Sequence, residues 1–127
     1  MIVLCVQGAE TEGEDMITLE KLNELGCDTG EGLKRCLNDE GFYLKLVPGA
    51  FEKTRYEELE KKTLEGDLEA AFDDAHALKG VLSNLAITPL NDVVSEITEH
   101  LRAKENMDYS ALFSKMWDIY HKFEEQL

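Results

Sequence analysis

Apolar residues in the second half of the chain recur at intervals of three and four, the spacing that lines one face of an α-helix. Asp67 is a suitable N-cap for the first of these helices, which spans about five turns. Its apolar stripe comprises Leu68, Ala71, Phe72, Ala75, Leu78, Leu82 and Leu85. The regularity of this pattern predicts a long amphipathic helix that packs against a core.

Two further helices follow with the same spacing. Thr88 and Pro89 form an N-cap and first-position pair that predicts the start of one helix, and Asp108 is a suitable cap for the other. The stripe of the first comprises Leu90, Val93, Val94, Ile97 and Leu101. The stripe of the second comprises Leu112, Phe113, Met116, Trp117, Tyr120, Phe123 and Leu127. The second half therefore predicts three successive helices.

The pattern before residue 67 predicts shorter elements. One short helix ends at Gly26, and another precedes Asn38. Their apolar positions are Ile17, Leu19, Leu22, Leu25, Leu33, Cys36 and Leu37. A further helix stops at Gly66 and is outlined by Tyr56, Leu59, Thr63 and Leu64.

Between these segments a helix is predicted from Glu40, and Pro48 with Gly49 predicts a kink or a break within it, because proline removes a helix hydrogen bond. Its stripe comprises Phe42, Tyr43, Leu46, Val47, Ala50 and Phe51. Connections of about two to five residues favour antiparallel neighbours. The sequence therefore predicts an all-α antiparallel four-helix bundle over residues 16–127, with short additional N-terminal helices. We interpret residues 1–15 as an N-terminal tail or extension.

Charge limits the partners of this bundle. The 127-residue chain has 13 Lys and Arg against 27 Asp and Glu, a formal net charge of -14. Phosphate backbones and anionic lipid surfaces repel such a protein, so we exclude nucleic acid and membranes as partners. No run approaches the ~18 apolar residues that a membrane-spanning helix requires.

The cysteines indicate a reducing compartment. Cys5, Cys27 and Cys36 have no CxxC spacing, and the N-terminus lacks the basic region and apolar core of a secretory signal. We therefore expect free thiols in a cytoplasmic protein, with Cys27 and Cys36 packed as small hydrophobes. Each apolar stripe can be buried within one bundle, so we expect a monomer.

His76 carries the candidate chemistry. It lies about 100° around the helix from Ala75, which is near the centre of the buried stripe, so it is predicted to face outward. The residues on that flank are polar or lack a side chain: Glu69, Asp73, Gly80 and Ser83. A glycine inside a helix costs about 1 kcal/mol relative to alanine, so Gly80 indicates a need for open space beside the ring. Lys79, at i+3, can place an ammonium near any anion held there.

An ordinary imidazole has a pKa of about 6.5, so at pH 7 it is largely neutral and one ring nitrogen offers a lone pair. A phosphoryl group on that nitrogen would bring roughly two negative charges, which Lys79 would stabilise. Gly80 would leave room for the active site of a partner. A metal site at His76 is disfavoured, because no second histidine lies at i+4 and Lys79 would repel a cation.

Residues 76–80 (HALKG), followed by residues 84–86 (NLA), resemble the H-x-L-K-G and N-L-G elements of the histidine-containing phosphotransfer (HPt) domain of two-component phosphorelays. The resemblance extends over residues 16–127. It implies a four-helix bundle in which His76 is the phosphoacceptor, Lys79 its electrostatic partner and Gly80 the clearance position. It also implies transfer to or from an aspartate of a response-regulator receiver domain, with a hybrid histidine kinase as a further partner.

The resemblance implies no cofactor in this chain and a Mg²⁺ ion in the receiver. The candidate docking residues are Asp73, Ser83, Asn84, Phe42 and Leu46. Phe42, Tyr43 and Leu46 are ambiguous between the core and an exposed docking patch, and the core is the preferred interpretation. Two departures from the family pattern bear on docking: Ala86 replaces a glycine, and Pro48 with Gly49 interrupts a helix that is often continuous.

Alternatives remain beside the phosphorelay. An HPt-like binding module could dock on a receiver or kinase without being phosphorylated, and a purely structural helical protein would explain the bundle but not Gly80. An autonomous kinase or ATPase is not expected, because the chain has no GxxxxGK[ST] loop. His100 has Glu96 and Glu99 beside it, and His121 precedes Glu124 and Glu125, so both histidines are interpreted as surface or boundary residues.

Overall fold

The computed structural model describes residues 17–127, which contain α-helices and one 3₁₀ helix but no strand. The elements in chain order are α1 (Leu19–Glu24), α2 (Thr29–Arg35), α3 (Glu40–Leu46), the 3₁₀ helix (Val47–Phe51), α4 (Lys53–Leu64), α5 (Leu68–Asn84), α6 (Thr88–Arg102) and α7 (Ser110–Glu124). The all-α prediction is confirmed. The predicted tail of residues 1–15, with Cys5, lies outside the described residues.

Helices α4 to α7 form the bundle. In sequence order each packs against the next, and α7 closes the bundle by returning to α4. The closing contact is made by Trp117, whose indole Nε1 donates a hydrogen bond of 2.9 Å to Glu60. The ring of Tyr56 on α4 lies 6.2 Å from that of Trp117 and 5.0 Å from that of Tyr120, measured between centroids. Aromatic packing and one polar contact therefore join the first helix to the last.

Most helix ends agree with the sequence. Gly66 follows α4 with a φ of 84°, and the side chain of Asp67 accepts a hydrogen bond from the backbone N–H of Ala70 at the start of α5. Helix α3 ends at Leu46 and residues Val47–Phe51 form a separate 3₁₀ helix, which confirms the break predicted at Pro48 and Gly49. Tyr43 is fully buried on α3.

Two predicted caps are wrong by one residue. The N-cap of α6 is Ile87, whose carbonyl accepts the first helical bond from Asn91, so Thr88 is the first helical residue and Pro89 the second. The backbone of Ile87 is non-helical, with φ -84° and ψ 73°, and its N–H bonds to the carbonyl of Leu82 at the end of α5. At α7 the N-cap is Tyr109, and the carboxylate of Asp108 instead accepts from the N–H of Ser110 at 2.9 Å.

Two leucines assigned to apolar stripes are exposed. Leu37 is 86% exposed. Helix α2 ends at Arg35 and Leu37 has a φ of 61°, so its side chain no longer follows the helical spacing that would direct it into the core. Leu64 is 70% exposed, and the buried residue at this end of α4 is Thr63, whose hydroxyl donates to Leu59 at 2.8 Å. Cys27 and Cys36 are buried as predicted, and burial raises the pKa of Cys27 to about 12.

The C-terminal end of α5 is a Schellman motif, in which the N–H groups of Ile87 and Ala86 bond to the carbonyls of Leu82 and Ser83 at 2.9 and 3.1 Å. Ala86 has a φ of 55°, the left-handed conformation that glycine adopts without strain. Glycine, which the resembled N-L-G element has at this position, would adopt this conformation without strain. With alanine at this position, α5 ends in a Schellman motif.

Replacing Ala86 by glycine is expected to raise the free energy of unfolding by about 1 kcal/mol, because it removes the left-handed strain of a residue with a Cβ atom. Ala77→Gly is the matched control, since Ala77 is an exposed residue inside α5 with helical geometry. It should lower stability by about 1 kcal/mol. Urea unfolding of both variants measures the difference, and destabilisation by both would contradict the account.

Candidate functional site

His76 lies in the middle of α5 and is exposed, as the periodicity predicts. On either side of it, Ala75 and Leu78 are buried and fix the rotation of the helix about its axis. Because the backbone is held by these core contacts, the direction in which the imidazole leaves the helix is determined by the fold. An imidazole, a side chain whose ring nitrogen can act as a nucleophile, is thus presented to solvent from a helix held by the core.

The imidazole stacks on Phe72, one turn earlier on the same helix. The two ring centroids are 5.6 Å apart and the planes differ by 20°. Residues at i and i+4 are neighbours on a helix surface, so this contact follows from the sequence spacing. The guanidinium carbon of Arg102, on α6, lies 5.0 Å from the centre of the same Phe72 ring, within the range of a cation–π contact. The ring of Phe72 therefore contacts both the imidazole of His76 and a cation from α6.

Lys79, the predicted electrostatic partner, is half-buried and is held across the helix interface. Its Nζ lies 3.8 Å from Oε2 of Glu99 on α6. The carboxylate of Glu99 is also 3.3 Å from Nε of Arg102. Lys79, Glu99 and Arg102 are thus linked in one charge cluster across the interface of α5 and α6, where the sequence had indicated Lys79 alone.

Gly80 is exposed, and a Cβ atom built on it would meet nothing within 4 Å. Nothing inside the bundle requires glycine at this position. The open space predicted beside the imidazole is therefore present in the structure, and the free protein derives no packing benefit from it.

The other two histidines differ from His76 in their surroundings. Nδ1 of His100 lies 3.1 Å from a carboxylate oxygen of Glu105, and Nδ1 of His121 lies 3.0 Å from that of Glu124. Glu124 is one of the two carboxylates that the spacing places near His121, whereas the carboxylate near His100 comes from the loop after α6 rather than from Glu96 or Glu99. Within residues 17–127 no carboxylate lies within 4 Å of a ring nitrogen of His76.

The candidate docking residues are divided between two places. Asp73 and Asn84 are exposed on α5 and Ser83 is half-buried there. Phe42 and Leu46 are 46% and 39% exposed on α3, so the preferred assignment to the core is wrong for them and correct for Tyr43.

Helix α3 is attached to the far end of α5. Tyr43 donates a hydrogen bond of 2.8 Å from its hydroxyl to the carbonyl of Leu85, and burial raises the pKa of this phenol, so it keeps its proton. Arg35 of α2 also donates to the carbonyl of Ser83. Leu85 lies nine positions after His76, a distance of about 14 Å along the helix axis. The apolar pair on α3 therefore lies toward the C-terminal end of α5.

Among the described residues, no group of three or more His, Cys, Asp or Glu side chains could hold a metal ion. Nor is any helix in that part of the chain long and apolar enough to cross a membrane.

The model of the Hpt domain family matches residues 53–126. The chain belongs to the Hpt family. The matched residues span all of α4 to α7 and include His76, Lys79 and Gly80, whereas Phe42 and Leu46 lie outside them. No curated protein and no solved structure gives a significant match. Membership places this Hpt domain in two-component phosphotransfer, in which Hpt domains in general interact with response-regulator receivers.

Sequence reasoning missed three neighbours of the histidine in this Hpt domain. Phe72 was assigned to the buried stripe but is half-buried, and its i, i+4 relation to His76 could have revealed the stack. Glu99 and Arg102 lie on another helix. No local spacing identifies them, because the register between α5 and α6 depends on how the two helices pack.

Proposed function

We propose that this Hpt domain is a phosphorelay intermediate that accepts a phosphoryl group on His76 and exchanges it with an aspartate of a response-regulator receiver domain. The observation that carries the proposal is the exposed imidazole at the centre of α5, with Lys79 and the open space at Gly80 beside it. The family gives the type of reaction. These residues supply a nucleophile, a positive charge and open space through which a receiver can reach the imidazole.

The reaction needs little rearrangement within the bundle. The lone pair of one ring nitrogen forms a bond to the phosphorus of the aspartyl phosphate, and the bond from phosphorus to the aspartate oxygen breaks. The receiver carboxylate leaves with that electron pair, and the imidazole ring carries a positive charge until its other nitrogen releases a proton to water. Stacking on Phe72 restricts ring rotation, which favours attack from one orientation.

Charge on the transferred group is stabilised from both proteins. Lys79 provides an ammonium from the Hpt side, and a Mg²⁺ ion belongs to the receiver, so no cofactor is assigned to this chain. In the reverse direction the same phosphoryl group returns to the aspartate. A hybrid histidine kinase is a further candidate source of the phosphoryl group, through its own receiver.

Docking is assigned to the surface around His76 and to α3. Asp73, Ser83 and Asn84 lie on α5, while the exposed side chains of Phe42 and Leu46 offer apolar area to a receiver. Partly exposed aromatic and aliphatic residues are suited to the centre of a protein interface. The break at Pro48 limits α3 to seven residues, so its contribution is local.

The test is incubation of the protein with a phosphorylated receiver domain and Mg²⁺. Phosphohistidine is labile in acid and stable in base, whereas aspartyl phosphate is labile in base. Acid-labile, base-stable phosphate on the Hpt chain would support the relay. Receiver binding without such phosphate, across a panel of receivers, would instead favour a docking module.

Replacing Gly80 by alanine is expected to separate stability from function. The methyl group enters open space in the free protein, so the gain in helix propensity should raise stability by about 1 kcal/mol. If the receiver occupies that space, the rate of phosphoryl transfer should fall. Gly30→Ala is the control, since Gly30 is exposed on α2 and its Cβ atom would make only an ordinary contact. Faster or unchanged transfer by Gly80→Ala would show that the space is not used.

A further inference from the structure

Glu99 links the cations on both sides of the α5 and α6 interface. Its carboxylate lies 3.8 Å from Nζ of Lys79 and 3.3 Å from Nε of Arg102. The pair with Arg102 is an i, i+3 contact within α6, of the kind that any helix surface can form. The contact with Lys79 comes from a different helix and involves the cation that the proposed reaction uses.

We propose that Glu99 is an internal counter-anion that competes with the phosphoryl group for Lys79 and thereby sets how much phosphate His76 retains at equilibrium with the receiver. The proposal rests on the proposed function, because it assigns a role to a residue that regulates the same site. Glu99 is a positioning residue, since it acts on the reacting group through Lys79.

The charges favour a change of partner by Lys79, from Glu99 to a phosphoryl group on His76. In the unphosphorylated protein, Glu99 is the anion paired with Lys79. A phosphoryl group on His76 brings roughly two negative charges, against one on the carboxylate, so it attracts the ammonium more strongly. The side chains of Lys79 and Glu99 are 35% and 58% exposed, and an ion pair so exposed is weak enough to be exchanged.

After Lys79 has moved to the phosphoryl group, Arg102 still provides a cation for Glu99. Its guanidinium remains within reach of the carboxylate and is itself held over the ring of Phe72, on which His76 stacks. When Lys79 turns to the phosphoryl group, Glu99 keeps one cation and stays on the same face. Its negative charge therefore continues to oppose the phosphoryl group, and both effects lower the share of phosphate held by His76.

The experiment measures the equilibrium distribution of phosphate between the Hpt chain and a receiver domain. Glu99→Gln removes the charge with little change in shape, and it should shift the distribution toward the Hpt chain by about two- to fivefold, the range expected for an exposed ion pair. Glu99→Asp retains the charge and should restore much of the wild-type value. Asp92→Asn is the matched control, because it removes one exposed negative charge from α6 about two turns away and should leave the distribution unchanged.

A double variant identifies the route of the effect. In a Lys79→Ala background, Glu99→Gln should shift the distribution by less than half as much as it does with Lys79 present, because the competition has been removed. An equal shift in that background, an equal shift in Asp92→Asn, or no shift in Glu99→Gln would each overturn the proposal. If the wild-type chain accepts no phosphate at all, it is the proposed function that fails, so the two failures are distinguishable.

Discussion

Replacing His76 by glutamine is expected to abolish phosphoryl acceptance while changing the free energy of unfolding by no more than about 0.5 kcal/mol. The amide nitrogen of glutamine has its lone pair delocalised into the carbonyl, so it cannot attack phosphorus. His76 is exposed and glutamine is a good helix former, so α5 should remain intact. Transfer from a phosphorylated receiver and thermal unfolding of the same preparation measure the two effects.

The other histidines are built-in controls for this experiment. His100→Gln and His121→Gln remove rings of the same kind that lie beside Glu105 and Glu124. Both variants should accept phosphate at the wild-type level. Full labelling of His76→Gln, or loss of labelling in either control, would show that the phosphoacceptor has been misassigned.

Replacing Gly32 by alanine is expected to lower the free energy of unfolding by about 2 to 3 kcal/mol. Gly32 is buried on α2, and a Cβ atom there would lie 2.6 Å from Cζ and the hydroxyl oxygen of Tyr43. Tyr43 is fully buried and its hydroxyl donates to the carbonyl of Leu85, so the ring cannot move aside without losing that bond. Urea unfolding of the variant measures the loss.

The same substitution at Gly30 serves as the comparison. Gly30 is two residues earlier on α2 and exposed, and its Cβ atom would lie 3.7 Å from the nearest atom. Gly30→Ala should therefore be neutral or stabilising. Equal stability of the Gly32→Ala and Gly30→Ala variants would mean that α2 does not pack on Tyr43 as described.

The helices of the bundle could be predicted because each one buries a regular stripe. Apolar spacing placed Leu78 and Leu82 in the core, and the cap at Asp67 with the glycine at 66 fixed where α5 begins. Residues near helix ends were harder to predict. The side chains of Leu37 and Leu64 are exposed although the spacing assigns them to apolar stripes. Apolar periodicity predicts burial only where the backbone is helical and that face of the helix packs against another element.

The site could be predicted in part, since its central residues lie on one helix. The exposure of His76 and the open space at Gly80 follow from positions along α5. The ionic contacts of Lys79 could not be predicted, because Glu99 is 20 residues further along the chain and its approach depends on the packing of α5 against α6. Hydrophobic spacing determines which face of a helix is buried, but not the residue it meets across the interface.

The most direct test of the account is to observe the three imidazole rings by nuclear magnetic resonance while a phosphorylated receiver and Mg²⁺ are added to the full chain. Coupling to phosphorus should appear at one ring nitrogen of His76, and the ring signals of His100 and His121 should show no such coupling. Phosphorus coupling at either of those rings, or stable phosphate on the chain with none at His76, would contradict the assignment.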